Sequence, residues 1–231
     1  MRSSRGLRRR RNRRKIIGIE IGIGIEIGNH YHTGISDPDP DSDFDFEKKK
    51  DKPMERCRMV FSGSGGQGVI TAAIVLAEAA VLHESKMAVQ TQAYGAAARG
   101  GATRSDVIIS DEEINFPKVV QPNVLICLTQ EAYNKFYTII RPGGLLITDS
   151  RYVKLYNKVD ARQCELPLYR TVMDEIGKPI VFNICMLGAV IGLTEVVQAE
   201  SIMKTLETRI PPDFLDMNRK ALELGLSLVK N

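Results

Sequence analysis

The run Met59-Val60-Phe61-Ser62-Gly63-Ser64-Gly65-Gly66-Gln67-Gly68 passes without a break into Val69-Ile70-Thr71-Ala72-Ala73-Ile74-Val75-Leu76-Ala77-Glu78-Ala79. A short apolar run, a glycine-dense turn and a stretch of good helix formers read as strand, tight turn and helix. Glycines let the backbone adopt positive φ and pass close to a ligand. The start of a helix offers unpaired N–H groups and the positive end of a dipole, which suit a phosphate or another anion. Gly63, Gly65 and Gly68 meet the G-x-G-x-x-G spacing, and Gly66 adds a further glycine.

From residue 58 onward, strand-type and helix-type patterns alternate. Strands are predicted at 58–61, 86–91, 105–110, 122–128, 145–148 and, as an edge strand, 163–166. Helices are predicted at 67–82, 130–140, 169–176, 183–193, 201–208 and 214–229. The wholly apolar 145–148 run marks a central strand. Arg141-Pro142-Gly143-Gly144 stops the helix before it. This order predicts a single α/β domain, an open, mainly parallel, Rossmann-like sheet flanked by helices, over residues 54–231.

Residues 1–53 follow different rules. A nearly pure basic run, Arg8 to Lys15, precedes Ile-Gly and Ile-Glu repeats, and then an Asp-X tract from Asp37 to Phe46. Gly-rich alternation sets strand register poorly, and the Asp-X tract has a disordered composition. A nucleic-acid arm, a targeting peptide and a non-native low-complexity leader are the three readings. Successive dipeptide repeats favour the last, with the native start at Met54; intact mass of protein from the native locus checks this.

Charge is divided in the same way. Residues 1–53 carry 13 Lys/Arg and 9 Asp/Glu, whereas residues 54–231 carry 19 of each. The body therefore lacks an electrostatic footprint for nucleic acid. Cys57, Cys127, Cys164 and Cys185 form no C-x-x-C pair, so they read as free thiols in a reducing cytoplasm rather than metal ligands. The apolar run from Pro179 to Thr194 is broken by Asn183 and is too short for a membrane span; it reads as a buried helix.

The chemistry of the first loop narrows by elimination. A dinucleotide site wants an acidic residue at the end of the second strand, but Glu84 precedes that strand and its far end reads Thr91-Gln92-Ala93. No Lys-Ser/Thr follows the glycines as a Walker motif requires. A diphosphate of some other ligand, or a close strand–helix contact alone, remains open. A second loop holds Tyr94 and then Arg99-Gly100-Gly101, a permanently charged bidentate donor beside two permissive backbone positions. It reads as an anion clamp, an interface contact or a plain surface turn. His83 ends the first helix and reads as a surface residue, and Asp111-Glu112-Glu113 as a solvated turn. No catalytic residue is assigned, and the body reads as a binding domain.

Taken together, Gly63-Ser64-Gly65-Gly66-Gln67-Gly68 and Tyr94-Gly95-Ala96-Ala97-Ala98-Arg99-Gly100-Gly101-Ala102-Thr103-Arg104-Ser105-Asp106 resemble the gamma subunit of the 2-oxoacid:ferredoxin oxidoreductases. The similarity continues through Asp149, the helix from Asn183 to Gly188 and the closing Asn218-Arg219-Lys220-Ala221 helix. The Tyr-Gly…Arg-Gly-Gly form of the second loop is most like 2-oxoglutarate enzymes. Pyruvate enzymes tend to carry Phe-Gly…Arg-Arg-Gly-Ala, and aryl- or indolepyruvate enzymes His-Gly…Arg-Gly-Gly. Ala96-Ala97-Ala98 departs from a stretch that often holds Pro and Glu.

The resemblance implies coenzyme A-dependent oxidative decarboxylation of a 2-oxoacid, with ferredoxin as electron acceptor and this chain inactive alone. Thiamine diphosphate, magnesium and 4Fe-4S clusters are implied on partner alpha, beta and, where present, delta subunits. The chain itself is expected to hold no metal. Gly63, Gly65, Gly66, Gln67, Gly68, Tyr94, Arg99, Gly100 and Gly101 are then the expected coenzyme A or subunit contacts. Two other readings stay open: a free-standing dinucleotide-binding oxidoreductase, and an assembly domain whose loops only contact other subunits. Pyruvate or branched-chain and indolepyruvate specificity are the alternatives within the family.

Overall fold

The structure, a computed structural model, describes residues 19–20, 56–93, 102–156 and 158–230. Tyr94, Arg99, Gly100 and Gly101 lie outside the described residues, as does nearly all of 1–53. The sheet order is β1-β3-β4-β2-β5-β6-β7. Its strands are β1 (Ile19–Glu20), β2 (Cys57–Gly63), β3 (Met87–Ala93), β4 (Thr103–Ser110), β5 (Val124–Cys127), β6 (Gly144–Asp149) and β7 (Ala161–Leu166). β2, β5, β6 and β7 run parallel to one another, and β4 is antiparallel to both of its neighbours, β2 and β3. The expected open, mainly parallel sheet is what forms, with β4 as the one reversed strand among those described. The two-residue β1 pairs parallel with β3, Ile19 opposite Gln90.

Period-2 alternation sorts the strand side chains onto two faces. Met59, Phe61, Val107, Ile109, Val124, Ile126, Leu145 and Ile147 point into a larger core. That core is covered by α1 (Val69–His83), α3 (Leu168–Glu175), α4 (Phe182–Thr194), α5 (Ala199–Arg209) and α6 (Leu215–Ser227). Val60, Ile108, Leu125, Cys127 and Leu146 point the other way, into a smaller core closed by α2 (Gln130–Phe136) and the turn of 3₁₀ helix after it. Both faces of the central strands are thus covered. This explains why β5 and β6 are wholly buried, and why β5 and the Leu145–Ile147 part of β6 read as continuous apolar runs.

Helix α4 is apolar on every side because it lies inside the helical layer, with Phe182 to Ile191 all buried. It meets α6 at small residues. A β-carbon on Gly225 would overlap the Cys185 carbonyl, and one on Gly188 the Leu222 carbonyl, so the two backbones touch only because both positions are glycine. The bidentate Arg209–Glu78 pair ties α5 to α1. No described helix is long and apolar enough to cross a membrane.

Candidate functional site

The connection after β2 runs through α1 on the larger-core face towards β3, whereas the connection after β5 runs through α2 on the opposite face towards β6. Neighbouring parallel strands whose connections diverge leave a crevice outside their C-terminal ends, the place where open α/β sheets bind ligands. The first glycine loop forms one wall of that crevice. Leu128, Thr129 and the start of α2 form the other. The Leu128 N–H donates to the Ser62 carbonyl at 2.9 Å, and Gln67 Nε2 donates to the Leu128 carbonyl at 3.4 Å, so the walls are stitched together at the base.

Within the loop the glycines divide into two kinds. Gly63 and Gly68 are confined: a β-carbon on Gly63 would sit 2.5 Å from Gln67 Oε1, and one on Gly68 2.7 Å from Asn183 Nδ2. Gly65 and Gly66 face open space, with nothing within 4 Å of a β-carbon built there. Gly66 and Gly68 hold positive φ of 88° and 73°. Gln67 acts as the loop's internal brace, because its Oε1 accepts from the Ser64 N–H at 2.8 Å. The glycine pattern alone therefore mixes a structural role (Gly63, Gly68, Gln67) with an open one (Gly65, Gly66).

Helix α1 starts at this loop with no side-chain cap and no acidic residue in its first turn. Its leading N–H groups and positive dipole end follow directly on the open glycines, a placement that suits an anion. The first turn of α4 packs beside it, with Asn183 donating to the Gly68 carbonyl at 3.4 Å. The second motif reaches the same edge of the sheet through its flanks. Thr103 is the cross-strand partner of Gly63, and Ala93 that of Arg104.

The other side of the site is organised by Asp149, fully buried at the end of β6. Its carboxylate accepts from the Arg151 N–H at 2.9 Å and from the Tyr169 N–H, in the first turn of α3, at 2.7 Å. Burial pushes its pKa up, and the N–H groups of Tyr169, Arg151 and Tyr152 oppose the shift. Asp149 thus holds the turn at 150–152 against α3, and nothing in this geometry aims it at a substrate. Sequence reasoning noted Asp149 only through the family resemblance; its placement after a wholly apolar strand was the local signal.

Other polar groups resolve as scaffold. Glu84, tested in the sequence as a ribose ligand, pairs with Lys86 and accepts from the Gln198 N–H at the start of α5. Arg104 makes a bidentate pair with Asp106, at 2.6 and 2.8 Å, and donates to the Val119 carbonyl. His83 is exposed at the end of α1. The four cysteines are free, three of them buried. Among the described residues, no cluster of His, Cys, Asp or Glu is arranged to hold a metal ion.

Comparison with known proteins identifies the family. The family model described as pyruvate ferredoxin/flavodoxin oxidoreductase matches residues 58–228. A 2-oxoglutarate synthase subunit KorC of Methanocaldococcus jannaschii is 44% identical over 171 residues, covering 73% of this chain and 91% of that one. The KorC subunit of Methanothermobacter marburgensis is 38% identical, covering 73% of this chain and 94% of its own. In the same organism a ketoisovalerate oxidoreductase subunit VorA is 31% identical, over 35% of its own length, and a pyruvate synthase subunit PorC 27%. A crystal structure of a keto/oxoacid ferredoxin oxidoreductase gamma subunit from Geobacter sulfurreducens superposes with a TM-score of 0.69 at 39% identity, covering 75% of this chain and 96% of that one. On these matches the chain belongs to the pyruvate ferredoxin/flavodoxin oxidoreductase family, as a gamma-type subunit of a 2-oxoacid:ferredoxin oxidoreductase.

Proposed function

We propose that this chain is the gamma subunit of a 2-oxoglutarate:ferredoxin oxidoreductase, and that its glycine loop cradles the diphosphate of coenzyme A. The observation that carries the proposal is the uncapped start of α1 following directly on Gly65 and Gly66 in open space. A turn of this kind binds an anion through backbone N–H groups but supplies no acid, base or nucleophile. That is what a binding subunit needs. The order of the relatives favours 2-oxoglutarate over branched-chain or pyruvate substrates, since the 2-oxoglutarate synthase subunits exceed the others in identity.

In this reading the reacting groups sit elsewhere. Thiamine diphosphate, magnesium and iron–sulfur clusters belong to partner alpha, beta and, where present, delta subunits, and ferredoxin collects the electrons. Free, mostly buried cysteines fit a reducing, cytoplasmic setting. Arg99, with Gly100 and Gly101, supplies a further anion contact from the second loop.

The test is kinetic. Gly65→Asp places a carboxylate in open space beside the helix start, so it repels an anion while leaving the fold intact. The expected result, for Gly65→Asp and for Arg99→Ala, is a KM for coenzyme A raised about tenfold or more, with the complex still assembled. Unchanged KM in both variants removes the proposal. A panel of 2-oxoacids assayed with the assembled complex decides the substrate.

An assembly role for the chain is the second reading. Exposed apolar side chains favour it: Ile180 is 73% and Phe214 45% exposed. Protection of the subunit against unfolding by coenzyme A separates the two, because a pure assembly domain gains no stability from the ligand.

A further inference from the structure

Two strands from the glycine loop, at the same C-terminal edge of the parallel strands, lies a cationic position braced by aromatic rings. Arg151 sits on the turn after β6, and its guanidinium lies 5.0 Å from the Tyr169 ring centroid and 5.7 Å from that of Tyr152. The two rings meet edge to face at 5.2 Å, and Tyr169 meets the buried Phe182 in the same manner at 5.8 Å. Phe182 precedes Asn183, the residue packed on Gly68. A continuous line of contacts therefore joins the anion-binding turn to Arg151.

Among the described residues Arg151 forms no close salt bridge, although its charge favours the ionised Asp149 and its side chain engages Tyr152. The nearby Asp149 carboxylate engages backbone N–H groups with both oxygens, one of them the N–H of Arg151 itself. Arg151 is exposed, yet its backbone is pinned by Asp149 and its side chain braced by two rings. Pre-organisation of this kind lowers the entropy lost when a guanidinium takes up an anion. β2 and β6 stand two strand spacings apart, about 10 Å. The 5′-diphosphate and 3′-phosphate of one ribose lie closer together than this, and the reach of the arginine side chain covers the remainder.

We propose that Arg151, braced by Tyr152 and Tyr169, binds a second phosphate of the ligand whose diphosphate rests on the glycine loop. This rests on the coenzyme A reading given above. Coenzyme A carries that second group as the phosphate on its ribose, and 3′-dephospho-coenzyme A lacks it. Arg151 is thus the residue that makes the site discriminate between the two.

The experiment measures binding of coenzyme A and of 3′-dephospho-coenzyme A to the assembled complex containing the full chain, as wild type, Arg151→Gln and Arg151→Lys. The wild type is expected to bind coenzyme A at least tenfold more tightly than the dephospho form. Arg151→Gln abolishes that preference by weakening coenzyme A alone, and Arg151→Lys restores part of it. An equal loss for both ligands, with or without loss of assembly, overturns the proposal and marks Arg151 as a scaffold or subunit contact. An unchanged preference in Arg151→Gln overturns it too. If the wild type binds neither ligand, the coenzyme A reading falls and this inference falls with it. In the other two outcomes coenzyme A still binds the wild type, and that reading stands.

Discussion

Asn183 closes over Gly68: a β-carbon on that glycine would lie 2.7, 2.8 and 2.9 Å from the Nδ2, Cγ and Cβ atoms of Asn183. Gly68 also holds φ at 73°, where an L side chain is strained. Gly68→Ala is expected to cost about 2–4 kcal/mol from the two effects together. Asn183→Ala costs about 1 kcal/mol alone, and removes the Nδ2 and Cγ contacts while leaving the one to Cβ at 2.9 Å, so it relieves the collision in part. The double variant therefore loses at least 1 kcal/mol less than the sum of the single losses. Urea unfolding of the four proteins checks it, and strict additivity would show that the contact is not what fixes the glycine.

The α4–α6 crossing makes a sharper prediction. At Gly225 the obstacles to a β-carbon are backbone atoms of Cys185 and Ala189, which have no rotamer to escape into. Gly225→Ala is expected to destabilise by about 3 kcal/mol or more. Gly143 is the control, because it has a positive φ of 71° but nothing within 4 Å. Gly143→Ala should cost only about 1–2 kcal/mol. Thermal unfolding that ranked the two alike would mean the helices separate cheaply.

How much of this was legible beforehand follows from what period and punctuation encode. The wholly apolar Leu145 to Ile147 run and the Pro142-Gly143-Gly144 stop placed β6 and the end of the preceding helix, because burial on both faces and loss of helical geometry are local properties. The reversal of β4 was not legible: a period of two is the same in parallel and antiparallel strands, and only pairing through Gly63–Thr103 and Cys57–Ile109 shows direction. The glycine loop was found from its spacing, but its division into confined and open glycines depends on packing: Gln67 and Leu128 confine Gly63, and Asn183, 115 residues away along the chain, confines Gly68. The Arg151 cluster was missed for the same reason. Tyr152 and Tyr169 stand on separate elements, and no spacing rule joins them. Tyr94, Arg99, Gly100 and Gly101 remain a proposal carried by sequence and by the strand ends that flank them.

The thiols give a prediction with a scale. Burial pushes Cys57, Cys127 and Cys185 up to about 12, and raises Cys164, which is only half buried. At pH 8 only about one in 10⁴ of the first three is a thiolate, and the thiolate is the reactive form. A thiol reagent is expected to label Cys164 slowly in the native protein and all four cysteines after unfolding. Rapid native labelling of Cys127 would contradict its seat between β2 and β6.

Asp149 supplies the pH dependence, and its sign is opposite to that of a salt-bridged carboxylate. Its pKa is raised in the folded state, so between 3.8 and the folded value the native protein holds more protons than the unfolded chain. Stability from this group is therefore present at the acid end, is lost as pH rises through the folded pKa, and is flat above it. Asp106 has the same sign for the same first cause, burial, offset by Arg104. Asp149→Asn keeps one acceptor oxygen where the carboxylate had two, so the N–H of Arg151 or of Tyr169 is left without a partner, at about 1–3 kcal/mol. It also removes the titration. The deficit of the variant against wild type should thus be largest near pH 4 and narrow towards pH 7, with the titrations common to both proteins cancelling in the difference. Urea midpoints across that range measure it. A deficit that widens with pH would mean that the two backbone N–H groups outweigh the desolvation, and that the ionised carboxylate stabilises the turn carrying Arg151.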